Sequence, residues 1–101
     1  MRKIKFKNTD EFERVFKQQD QEITDSIYES IEEASQLKKR TANLFEISFE
    51  NVEVVYNISL PLSQWETALQ TCLDLYTNSN EPDKAIDTYL LMKRVNKQLN
   101  K

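Results

Sequence analysis

The chain has 101 residues, 39% of them hydrophobic and 31% charged, with a net charge of −3; that supplies one modest core, a single domain over 1–101, and no apolar run long enough to span a bilayer. It contains no Gly, no His and one Cys, which excludes Gly-rich phosphate loops, His-based general-base and nucleophile pairs, and a plausible ligand set for structural zinc. A lone cysteine allows no internal disulfide, so a cytoplasmic location is expected.

In chain order, Ile4 and Phe6 alternate with Lys3, Lys5 and Lys7, the period of a half-buried strand. Asn8 or Thr9 can accept from the free amides of a helix start, and Asp10 and Glu11 suit its dipole. Phe12, Val15, Phe16, Ile23, Ile27, Ile31, Ala34 and Leu37 follow at helical spacing toward Arg40. The spacing stretches across Gln18-Gln19-Asp20-Gln21, so a break is expected there, with Asp20 as a cap for a second helix. One unbroken helix of about 30 residues would reach some 45 Å, far past the strands.

Phe45, Ile47 and Phe49 alternate with Glu46, Ser48 and Glu50. Val52, Val54, Tyr56, Ile58 and Leu60 then alternate with Glu53, Val55, Asn57 and Ser59. A two-residue turn at Glu50-Asn51 sets Phe49 opposite Val52, Ile47 opposite Val54 and Phe45 opposite Tyr56, with both apolar sets on one face. Asn51 tolerates the positive φ that such a turn favours. On this reading a lysine at Phe49 or Tyr56 buries an unpaired charge.

Pro61 ends the strand, and Ser63 and Glu66 have the spacing of a capping box. Trp65, Ala68, Leu69, Cys72, Leu73 and Tyr76 make one helical stripe, which puts Cys72 and Trp65 in the core. Thr77–Asn80 interrupts it, and Pro82 fits the first turn of a final helix. The fold class expected is α+β, in the order β-α-β-β-α-α. Its sheet is small, about three-stranded and mostly antiparallel, with helices on one face.

Three surfaces are candidates for contact. Glu22, Asp25, Glu29 and Glu32 recur at helical spacing and line one stripe, which could dock a basic partner or imitate nucleic-acid phosphates. The final helix carries two apolar stripes, Ile86-Tyr89-Leu90 and Ala85-Met92-Val95-Leu99, with Leu91 adding width. A helix on the outside of a small domain needs only one buried, so either the helix packs on two neighbours, the long 9–40 helix among them, or Met92, Val95 and Leu99 meet another chain. Lys3, Lys5 and Lys7 with Lys38, Lys39 and Arg40 could form a nucleic-acid patch. The acidic net charge and the neighbouring Glu46, Glu50 and Glu53 argue against it. No catalytic residue, metal ligand, cofactor, small-molecule substrate or membrane partner is indicated. The expectation is a small non-enzymatic protein-interaction or regulatory module, working as a homo-oligomer or in a complex with another protein. The alternatives are an acidic mimic that docks on a basic site and, further off, a nucleic-acid binder using the N-terminal strand.

Overall fold

The alternating and helical stretches of the sequence become eight short elements in the computed structural model, which describes residues 2–18 and 21–100. They are β1 (Arg2–Phe6), α1 (Thr9–Gln18), α2 (Gln21–Gln36), β2 (Thr41–Phe49), β3 (Val52–Pro61), a 3-10 turn (Leu62–Gln64), α3 (Trp65–Asn78) and α4 (Pro82–Leu99). Helices α1 and α2 lie on either side of residues 19–20, and the break expected there lies outside the described residues. A capping role for Asp20 lies outside the described residues. Asn8 caps α1, its side-chain oxygen accepting from the Glu11 amide at 2.9 Å, and Pro82 opens α4.

The sheet is mixed, in the order β1-β2-β3. β1 runs parallel to β2, from Arg2 beside Phe45 to Phe6 beside Phe49. β2 and β3 form the antiparallel hairpin, turning at Glu50-Asn51 with Phe49 opposite Val52. Beyond that pair the register differs from the simple expectation. Ile47 meets Tyr56 rather than Val54, and Phe45 meets Ile58 rather than Tyr56. β3 holds two extra residues, Glu53 and Val54, between Val52 and Val55. The turn does without positive φ, which among the described residues occurs at Lys38 and Asn80. Unprimed turns splay a tight hairpin, and the irregularity next to this one absorbs the mismatch. A second bulge places Leu44 between the pairs Asn43–Ser59 and Phe45–Ile58. It explains why buried positions in β2 change from Ala42 and Leu44 to Phe45 and Ile47.

The helices pack on one face of the sheet, α2 against β2 and α3 and α4 against each other. Phe6, Ile31, Phe45, Ile47, Trp65, Leu69, Leu91 and Val95 form the closed centre of the core. All five phenylalanines join an aromatic cluster, from Phe12 and Phe16 of α1 through Phe6, Phe45 and Phe49, that reaches Tyr56 on β3. Trp65 is fully buried, and its indole donates to the Leu60 carbonyl at 2.7 Å. The capping box does not form: Ser63 lies in the 3-10 turn after Pro61, and α3 begins from Gln64 without a side-chain cap. Leu37, placed by spacing on the inner face, is 59% exposed, because α2 ends at Gln36.

Candidate interaction surfaces

The acidic stripe of α2 is real as a row, but most of it is matched within the chain. Glu22 pairs with Arg2 of β1 at 3.0 Å. Asp25 accepts from the Tyr76 hydroxyl and pairs with Lys84 at 3.2 Å, so one carboxylate ties α2 to α3 and α4. Glu32 accepts from Tyr28 at 2.7 Å. Asp25, Tyr28, Glu29 and Glu32 of α2 face Tyr76, Lys84 and Asp87 across an open cleft of about 290 Å³. Burial, then the hydrogen bond to Asp25, pushes the Tyr76 phenol upward; burial and Glu32 do the same for Tyr28. Both therefore stay protonated donors. The Asp25–Tyr76 link, spanning 51 positions, has no local signal in the sequence.

Among the described residues no group of three or more Cys, Asp or Glu side chains is arranged to hold a metal ion. Cys72 is fully buried beside the Thr24 carbonyl, and burial with the nearby Asp25 charge pushes its thiol up to about 12. A thiol so protonated is a packing group rather than a nucleophile.

On α4 the two apolar stripes fall opposite to the expected contact with another chain. Val95 is fully buried in the chain's own core, Met92 is half-buried against it, and Leu99 lies at the exposed end of the helix. A partner cannot reach Val95 without opening the domain. Thr88 and Leu91 complete this inner stripe. Thr88 escapes a hydropathy reading because its hydroxyl is satisfied by the Lys84 carbonyl at 2.7 Å. The stripe left in water is Ile86, Tyr89 and Leu90, with Lys93 over the Tyr89 ring.

β3 offers the other apolar surface, and spacing did not reveal it. Tyr56 was expected in the core, yet Val52, Val54, Val55 and Tyr56 are each about half exposed. The reason is lateral position: the helices cover β1 and β2 and stop short of the outer strand. Lys3 and Lys5 lie on the opposite edge strand, where Lys3 pairs loosely with Glu46 at 3.9 Å. No helix is long and apolar enough to cross a membrane among the described residues. Compared with protein-family models, with curated proteins and with solved structures, the chain matches none of them.

Proposed function

We propose that the chain is a small protein-interaction module, regulatory or scaffolding in role, that works in a homo-oligomer or complex rather than as an enzyme. One observation carries this reading: exposed apolar side chains are gathered, not scattered. Val52, Val54 and Tyr56 share one face of β3, and Ile86, Tyr89 and Leu90 line one helix. Scattered apolar residues on a surface need no explanation, whereas contiguous apolar patches mark contact sites. The acidic-mimic reading has less support, because Glu22, Asp25 and Glu32 already have partners inside the chain.

The test pairs surface variants with a binding readout. Tagged wild-type chain, Ile86→Glu/Leu90→Glu and Tyr56→Lys would be compared for self-association and for proteins retained from the native source. At least one variant should lose a contact that the wild type makes while keeping its circular dichroism. Three chains that all stay monomeric and retain the same proteins would overturn the reading.

A further inference from the structure

We propose that β3 is a self-pairing edge: two copies join β3 to β3, antiparallel about a two-fold axis at Tyr56, making one six-stranded sheet. This rests on the interaction-module reading and names its partner as a second copy of this chain. The two edges of the sheet differ in kind. β1 carries Arg2, Lys3 and Lys5, and lysine-rich edges resist pairing with another strand. β3 carries a single charge, Glu53. It is ten residues long, and apart from β2 no element packs extensively against it. An edge strand turns alternate amides and carbonyls outward. The Leu60 carbonyl accepts from Trp65. Among the described residues, the backbone from Val52 to Ser59 makes no hydrogen bond beyond the ladder with β2.

Those open groups specify an extended backbone as occupant, and the side chains specify this one. Pro61 has no amide to donate, so the longest self-pairing register runs from Val52 to Leu60 and centres on Tyr56. In that register Tyr56 meets its copy and Val54 meets Ile58, with Val52 turned toward Leu60 beyond the irregularity at Glu53-Val54, apolar on apolar along the helix-bearing face. On the other face Glu53 meets Ser59 and Val55 meets Asn57, so the two glutamates are held at opposite ends. The helix layers stop at β2 and leave room for the second β3. Strands of this length span about 30 Å. An edge contact of that size buries less than the roughly 800 Å² per partner of a standard interface, so the dimer should be reversible and concentration-dependent.

Sedimentation of the full chain tests it. The wild type should pass from monomer to dimer as concentration rises from micromolar toward millimolar. Tyr56→Lys and Tyr56→Glu, at a half-exposed position, should keep the monomer fold and each weaken the dimer about tenfold or more through like charges face to face. An equimolar mixture of the two should dimerise again. If either variant loses its fold, Val55→Lys and Val55→Glu, equally exposed, replace the pair, meeting Asn57 and lying diagonally across from their own copy. A wild type that stays monomeric, a dimer indifferent to Tyr56→Lys, or a mixture that fails to re-associate would each overturn the pairing. A dimer lost in Ile86→Glu/Leu90→Glu but kept in Tyr56→Lys would overturn it too, while leaving the interaction-module reading in place.

Discussion

Among the described residues, two carry the positive φ that other chains assign to glycine. Lys38 and Asn80 both sit at φ 56, each just past a helix. Around Lys38 the Lys39 amide reaches back to the Ala34 carbonyl at 2.9 Å; around Asn80 the Glu81 amide reaches Tyr76 at the same distance. A left-handed non-glycine residue costs about 1–2 kcal/mol, partly offset because glycine loses about 0.5–1 kcal/mol more backbone entropy on folding. Lys38→Gly should therefore stabilise the domain by about 0.5–1 kcal/mol, and Asn80→Gly by less, since Asn tolerates this region. Thermal melts of the two variants check the ranking; equal or reversed gains would contradict it. Cys72 makes a second prediction. Its thiol titrates near 12 in the fold against 9.0 ordinarily, so above pH 9 the unfolded chain gives up a proton that the folded chain keeps. This contribution to stability is intact below pH 9. It falls as pH rises toward 12, with a slope of up to about 1.4 kcal/mol per unit. Tyr76, raised in the same direction, adds to the fall above its ordinary value of 10.0. Urea titrations from pH 8 to pH 10 should show a flatter decline in Cys72→Ala; an unchanged slope would assign the loss elsewhere.

At the scale of elements, the two strands of the hairpin differ in what a charge does to them. Phe45 and Ile47 are closed off from water in β2, while Tyr56 beside them is 51% exposed in β3. Phe45→Lys or Ile47→Lys should cost more than about 3 kcal/mol and unfold much of the population. Tyr56→Lys should cost the monomer less than about 1 kcal/mol. Denaturant curves decide it, and comparable losses at all three positions would mean that β3 is covered in solution. The strands, the turn at Glu50-Asn51, the cap at Asn8 and the start of α4 at Pro82 were legible in the sequence, because alternation, capping chemistry and proline geometry are local. The true register was not. A slip of two residues leaves every apolar side chain on its own face, so alternation cannot register it. Ser63 and Glu66 misled for a similar reason: their spacing is right, but the chain leaving Pro61 first makes a 3-10 turn. On α4, both stripes have helical period, and choosing the inner one depends on where α2 and α3 stand.

Across the whole molecule, bases and acids are interleaved rather than opposed. Lys3 lies beside Glu46, Arg2 beside Glu22, and Lys84 beside Asp25, within a chain of net charge −3. Nucleic-acid affinity depends on bases clustered in a favourable field. A labelled DNA duplex should thus show no appreciable anisotropy change with this protein at physiological salt. A salt-sensitive micromolar affinity would reverse that and bring Lys3, Lys5 and Lys7 forward together. The candidate surfaces were only half legible at this scale. The row from Glu22 to Glu32 follows from helical periodicity, but its internal partners come from elements far along the chain. The exposure of β3 depends on where the helix layer ends, which no local pattern records.

The parallel pairing of β1 with β2 also imposes an order on folding. Arg2 can find Phe45, and Phe6 can find Phe49, only after both α1 and α2 have been made and the chain has doubled back. The β2–β3 ladder closes over a two-residue turn and asks for no such wait. Although it comes before the other two strands in chain order, β1 is thus the last of the three to be built in. Because long closures come late and are the first to be released, amide exchange in the native protein should be fastest at the β1 end of the sheet and slowest along β2.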